Sequence, residues 1–305
     1  GQVVTESIPQ IGEFFALLTA ICWTVTAMSF ESAGKKVGSL PVNILRLLIA
    51  IVFFSIFGLI QRGMAFPLDA SWHAWKWLGL SAVVGFCIGD LLLFKAFVVI
   101  GSRISMLIMA GVPPLTAILG LVFLGESLTF LAWCGMAVTI AGICTVILKR
   151  NNEPEQDHRS RNTWWIGILY AIGGGVGQST GLILSKIGMQ DYDAFSATYI
   201  RVIVGAIGFA VIFTLSGRWS GVLAAIRNKL AMRRILLGSL FGPFLGVSFS
   251  LLAIQHTETG SASTIMSIVP VLIIPPAVLV FKERVTYQEV FGALLAVAGV
   301  AIMFL

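Results

Sequence analysis

The sequence predicts an all-α polytopic membrane protein of ten transmembrane helices, arranged as two inverted five-helix repeats. Three observations carry that prediction: an apolar composition, apolar windows of membrane-crossing length throughout, and a second half that repeats the first. Of the 305 residues, 57% are apolar and only 11% charged, against about 25% charge in an ordinary soluble domain. One aqueous core cannot hide that much apolar side chain. Stretches of roughly 18–25 apolar residues recur, each long enough to cross about 30 Å of hydrocarbon. Spans are expected over 12–31, 42–61, 77–99, 104–124, 129–148, 164–186, 194–215, 235–255, 260–281 and 286–305. The opening "GQVVTESIPQ" has no lysine or arginine, so the first apolar run reads as a span and not as a cleavable signal.

The clearest polar break is "KRNNEPEQDHRSRN", residues 149–162. It sets a first five-helix repeat at 1–148, a linker at 149–163 and a second repeat at 164–305. "QIGEFFAL" realigns with "WIGILYAI" at an offset of 155, which pairs Arg46 with Arg201 and Trp23 with Gln178. At an offset of 157, Gly85 and Gly89 meet Gly242 and Gly246, and Pro113 meets Pro270. Glu126 then meets Glu283, while Gly135 and Gly142 meet Gly292 and Gly299. An odd number of spans per repeat inserts the halves in opposite orientations. Such repeats place a binding site near the midplane, between the halves, and support alternating access.

Other function classes lose support. A net charge of +6 would suggest nucleic acid in a soluble chain, but in a membrane chain basic residues collect in cytoplasmic loops. No nucleic-acid partner is expected. Lys35, Lys36, Arg103, Lys149, Arg150 and the basic stretch 218–234 fall on one side, and only Arg62, Lys76 and Lys186 on the other. The charge rule puts both termini outside and the central linker in the cytoplasm. Segment 216–234, with "GVLAAIRNKLAMRR", reads as a basic amphipathic helix on the inner leaflet. The four cysteines lie in apolar segments without paired spacing and read as packing residues. His73, His158 and His256 are scattered, which supports neither a metal site nor a catalytic dyad. There is no GxxxxGK[ST] loop. The chain is therefore not read as an enzyme, has no cofactor, and must be driven by a proton or ion gradient.

Two five-span halves, each with a proline in its fourth span and a glutamate ("LGES", "FKER") before its fifth, resemble the drug/metabolite transporter superfamily, specifically its EamA-type ten-helix members. The resemblance covers essentially the whole chain. It implies a secondary transporter of the plasma (inner) membrane, with a central cavity lined by spans 1–4 and 6–9 and with spans 5 and 10 peripheral. Members of that family export amino acids and other metabolites, or carry choline, nucleotide sugars or drugs. Many are described with cytoplasmic termini, the opposite of what the charges here give. The expected function is a small-metabolite transporter, an exporter of amino acids or amines working by alternating access. A flippase for a lipid-linked substrate and an organic-cation or drug exporter are the alternatives. Partners are the small substrate and membrane lipids, with the chain a monomer or homodimer.

Within this frame "GFCIGDLLLFKAF", residues 85–97, holds the most informative acid. Asp90 shares a helix face with Phe86, Phe94 and Phe97, and exposure to lipid would cost at least ~2.5–3.5 kcal/mol. Two readings stand: a cavity carboxylate for a cationic or zwitterionic substrate, its phenylalanines offering cation–π contact, or a fixed ion pair. Lys95 lies some ~140° away around the helix, so a partner must come from another span, with Arg46 a candidate. In the second half Asp90 corresponds to Val247. Arg46 and Arg201, shared by the halves, read mainly as structural or gating charges, with contact to an anion as the alternative; Glu31, Arg46, Lys95 and Arg103 should lie toward one membrane face, where they suggest a gate network. The other cavity candidates are Trp23, Thr26, Ser105, Met109, Gln178, Ser179, Ser248, Ser263, Thr264 and Ser267. Glycines every four residues read as sites of internal helix packing, with a homodimer face as the alternative. Glu126 and Glu283 read as helix-end acids favoured by the dipole, and the prolines as kinks in spans 4 and 9.

The charge asymmetry yields a direct expectation. In a cysteine-free background, Asn162→Cys in intact cells should react with an impermeant maleimide only after the membrane is breached. Labelling from outside would reverse the orientation.

Overall fold

The computed structural model describes residues 11–124, 127–152, 161–257, 259–303 and 305. Glu126, His158, Arg159 and most of the linker lie outside the described residues, and the side chain of Arg150 is likewise not described. All ten expected spans are helical, within a few residues of the expected bounds. They are α1 Ile11–Val37, α2 Ser39–Arg62, α3 Trp72–Ile100, α4 from Ser102–Met109 and Val112–Leu124, and α5 Phe130–Asn152. The second half follows with α6 Arg161–Met189, α7 Ala194–Ser216, α8 Lys229–His256, α9 from Thr259–Met266, Val269–Leu272 and Ile274–Leu279, and α10 Tyr287–Met303. Nine of these are long and apolar enough to cross a membrane, and α10, at 17 residues, is a shorter apolar helix. Large apolar side chains such as Ile60, Leu215 and Val122 point outward and are exposed, as the outer face of a bundle bathed in acyl chains requires.

The repeat extends to the irregularities of the helices. α3 widens into a π-helical stretch at Val83–Asp90, and α8 does the same at Leu240–Gly246, the equivalent place. α4 breaks between Met109 and Val112, α9 between Met266 and Val269. Pro113 and Pro270 follow those breaks in the first turn of the new segment, where a missing N–H costs least. α2 and α7 each end on a left-handed glycine, Gly63 (φ 67°) and Gly217 (φ 64°), whose N–H bonds back into the last turn.

Helix contacts use the glycines internally. Hydrocarbon gives no solvent force between apolar helices, so association depends on close packing and polar contacts. A Cβ on Gly142 would stand 2.6 Å from the Gly292 carbonyl, and one on Gly135 2.5 Å from that of Gly299. These pairs fuse α5 to α10, with Thr139 donating to the Ala296 carbonyl (3.2 Å). Gly85 and Gly89 meet Gly181 and Gly177 where α3 crosses α6. The equivalent crossing joins α8 to α1, where Gly242 faces Thr26 and Gly246 faces Trp23. A hydroxyl bond pins each crossing, with roles exchanged. Ser81 of α3 donates to the Gly181 carbonyl of α6 (2.6 Å), whereas Thr26 of α1 donates to the Gly238 carbonyl of α8 (2.6 Å).

Two local expectations need correction. Residues 216–234 are not one amphipathic helix: a short helix, Trp219–Arg227, stops at Asn228, whose side chain accepts from the Ala231 N–H (3.0 Å) and starts α8. Lys229, Arg233 and Arg234 therefore belong to a span. Glu283 does not cap α10. That task falls to Thr286 and Glu289 as a reciprocal capping box, Glu289 accepting from the Thr286 N–H at 2.9 Å.

The α5–α10 contact is testable. Gly142→Val inserts side-chain atoms where backbone now stands, and overpacking of this kind costs about 1–3 kcal/mol. The thermal unfolding midpoint in detergent should fall, while Gly217→Asn, at a left-handed turn with open space around it, should leave it nearly unchanged.

Candidate functional site

Between the halves lies a cavity of about 130 Å³, well above the ~10–15 Å³ that admits one water. Its wall takes residues from α1, α2, α3 and α4 and from α6, α7, α8 and α9, and none from α5 or α10. Most of its wall consists of equivalent positions of the two repeats: Trp23 and Gln178, Arg46 and Arg201, Asp90 and Val247, Leu93 and Ser250, Met109 and Met266, Pro113 and Pro270. The cavity thus straddles the axis relating the repeats. The first half supplies aromatic and aliphatic surface, and the second supplies Gln178, Ser250, Ser263 and Ser267.

Asp90 meets its partner in the neighbouring span. Arg46 Nη2 donates to Asp90 Oδ2 at 2.9 Å, with both residues buried. Local backbone supports the pair: the amide of Asn43, one turn before Arg46, donates to the Asp90 carbonyl (3.4 Å) at the end of the π-helical stretch. Asp90 is thus ion-paired, and it also lines the cavity. The phenylalanines have another role than the one expected. The Arg46 guanidinium lies 4.7 Å from the Phe94 ring centre and 5.2 Å from that of Phe86, and Arg201 lies 4.6 Å from Phe86. Their faces are thus engaged by the protein's own cations. Phe86 itself packs on Gly205 of α7. Phe30 and Phe97 extend the aromatic wall, each against Phe94 at 4.9 and 5.4 Å.

Of the residues singled out from the sequence, Trp23, Thr26, Phe86, Asp90, Phe94, Met109, Gln178, Ser263 and Ser267 line the cavity. Ser105, Ser179 and Ser248 do not. Each is fully buried among helices; Ser105 donates to its own helix at Gly101 (2.7 Å) and Ser179 to Gly175 (2.8 Å). A position one residue from a lining one is turned ~100° around its helix, which explains Ser179 beside Gln178. The sequence reading missed Ser250, which lines the wall at the equivalent of Leu93, and favoured a structural role over anion contact for Arg46 and Arg201, both of which line the cavity. The mismatch of two matched arginines with one acid was the available signal.

The remaining charges are distributed among separate contacts. Glu31 accepts from the Ser102 N–H (2.9 Å) and from the Ser102 hydroxyl, and pairs with Lys35. Lys95 sits 5.6 Å from the Tyr170 ring of α6, and Arg103 reaches Glu283 (3.0 Å) and Glu289 (3.3 Å). These ties hold the basic membrane face. On the opposite face Arg62 bonds Asp69 and Ser196, and the Tyr192 hydroxyl donates to Asp69 (2.9 Å).

Comparison with known proteins agrees with this architecture. The EamA-like transporter family matches residues 10–148 and again 165–305. The threonine/homoserine exporter RhtA of Salmonella typhimurium strain LT2 is 31% identical over 147 residues, 47% of this chain and 48% of that protein. RhtA of Escherichia coli strain K12 is 32% identical over 163 residues, 52% of each. The match thus spans about half the length of these curated relatives. A protein of known crystal structure superposes over 95% of both chains at a TM-score of 0.63 and 17% identity, a likeness of fold alone. The apolar helices and these relatives together indicate an integral, multi-pass protein of the plasma (inner) membrane.

Removing one partner of a buried ion pair leaves an uncompensated charge, at a cost of about 3–5 kcal/mol. Arg46→Gln and Asp90→Asn should each lower the thermal unfolding midpoint, and the double variant should recover much of the loss. Strictly additive losses would show that the two groups are not coupled.

Proposed function

The chain belongs to the EamA-like transporter family, and from that premise we propose that it is a secondary exporter of small zwitterionic metabolites of the amino-acid class. It would work by alternating access around the cavity between its halves, driven by a proton or ion gradient. The observation that carries this reading is the chemistry of the wall. Arg46 and Asp90 neutralise each other, which leaves Arg201 as the further charge among the lining residues. Several lining hydroxyls have their hydrogen committed to backbone: Thr26 to Gly238 (2.6 Å), Ser250 to Val247 (2.6 Å) and Ser267 to Ser263 (2.6 Å). A hydroxyl so used can only accept from a ligand. A guanidinium donor and a set of acceptors suit a carboxylate and an ammonium on one small molecule. The aromatic and aliphatic half of the wall suits its side chain. The relatives' names give threonine and homoserine as cargo, both zwitterions of modest size.

An organic cation is less favoured, because the lining carries one surplus positive charge and its Phe86 and Phe94 faces are engaged by arginines. A flippase for a lipid-linked substrate finds no specific support in a wall of this charge.

Counterflow in proteoliposomes, run across the common amino acids and their amines, tests the reading. Saturable, gradient-dependent flux of one or more neutral amino acids is the expected result. Its absence across the panel, or scrambling of labelled lipid in its place, would overturn the proposal.

A further inference from the structure

The two repeats place an arginine at the same point of their second spans, yet only one of the pair has an acid to meet. Arg46 has Asp90; the position equivalent to Asp90 opposite Arg201 is Val247, and both of these positions line the cavity. Arg201 is 5% exposed and its Nε, like that of Arg46, has no hydrogen-bond partner; among the described residues its guanidinium, unlike that of Arg46, forms no ion pair or hydrogen bond. It stacks on Phe86 at 4.6 Å, a contact that orients the plane but satisfies none of its N–H groups. Asp90 lies near enough to attract both arginines but bonds only Arg46; leaving a cation so deep with none of its N–H groups bonded to an acid is costly. From the geometry we infer that Arg201 is the anchor for the carboxylate of the cargo, its counter-ion arriving with the substrate.

This rests on the exporter reading and adds to it a specific residue and a charge type. The carboxylate end of a zwitterion meets the Arg201 guanidinium locally, while its ammonium meets the hydroxyl acceptors of the wall; a phosphate has no ammonium to use those acceptors. The planar fork of arginine matches the two oxygens of a carboxylate. Ser250 and Gln178 come from the same half of the wall, so the polar head of the cargo would lie toward the second repeat. Its side chain would lie toward Trp23, Phe30 and Leu93 of the first.

The test uses the full chain in proteoliposomes, with the best-transported amino acid of the panel and three competitors: its methyl ester, its decarboxylated amine and inorganic phosphate. We expect none of the three to compete, whereas the unlabelled amino acid, with its free carboxylate, does. Arg201→Gln should raise KM at least about tenfold, the scale of one lost charged hydrogen bond, and Arg201→Lys should recover part of it. Removal of an unpaired buried cation should also leave the thermal midpoint of the empty protein unchanged or higher. Amino-acid flux that persists in Arg201→Gln with an unaltered KM, equal competition by the ester or amine, or dominant competition by phosphate would each overturn the assignment while leaving the exporter reading in place. A collapse of thermal stability in Arg201→Gln would mark the residue as scaffold and overturn it as well. Absence of any flux by the unaltered chain would sink the exporter reading itself.

Discussion

The contact on which the rest of this structure depends is the approach of backbone to backbone where α3 crosses α6. A Cβ on Gly177 would stand 2.5 Å from the Cα of Gly89, and one on Gly181 3.2 Å from that of Gly85. Acyl chains are as apolar as leucine, so helices in a bilayer gain little from hiding apolar surface and much from such proximity. With the glycine face of α3 fixed against α6, its other face, carrying Phe86, Asp90 and Phe94, is turned inward to the cavity. The equivalent crossing of α8 and α1 is filled differently: Thr26 stands where the other crossing has Gly181, and Trp23 takes the contact on Gly246 that Gly177 makes on Gly89. One crossing is therefore tight backbone contact, and the other sets an indole in the wall.

The charges follow from that frame. Asp90 lies at the end of the π-helical stretch of α3, and its carbonyl accepts from the Asn43 side-chain amide. That meeting brings α2 alongside and Arg46 within reach of the carboxylate. Phe86, seated on Gly205, then lies against both arginines, 5.2 Å from Arg46 and 4.6 Å from Arg201. The site is thus polarised by sequence divergence alone. The same backbone, repeated and inverted, carries an arginine that is bonded to an acid in one repeat and one that is not in the other.

Much of this architecture was legible in the sequence because its signals are long or repeated. Ten apolar runs, the linker, and glycines and prolines recurring in register specify the helices and their pairing. The face of α3 bearing Asp90 followed from helix spacing, and the exclusion of Lys95 from that face agrees with its place beside Tyr170. What the sequence hid is local or relational. Ser105 and Ser248 resemble Ser263 and Ser267 in composition and differ only in which way a broken or widened helix turns them. A π-helical stretch or an interrupted span shifts the facing residue without changing hydropathy. The capping box of Thr286 and Glu289 competed with Glu283, and only the position of the first turn decides between them. The place of Arg201 in the cavity wall was obscured because a position shared by both halves reads as scaffold, whereas the acid bonded to Arg46 has a valine, Val247, as its counterpart.

The exchanged hydroxyl bonds carry a different message. At one crossing serine on α3 reaches a glycine carbonyl on α6; at the other, threonine on α1 reaches a glycine carbonyl on α8. In the alignment of the halves these are two mismatches, serine opposite glycine and glycine opposite threonine. In space they are the same bond drawn from opposite ends. What the duplicated halves kept in common is the interaction and not the residue that makes it. Kinship between the halves measured by identical letters is therefore an underestimate, and a pairwise score built on crossings would read the ancestry of such a protein more deeply than its alphabet does.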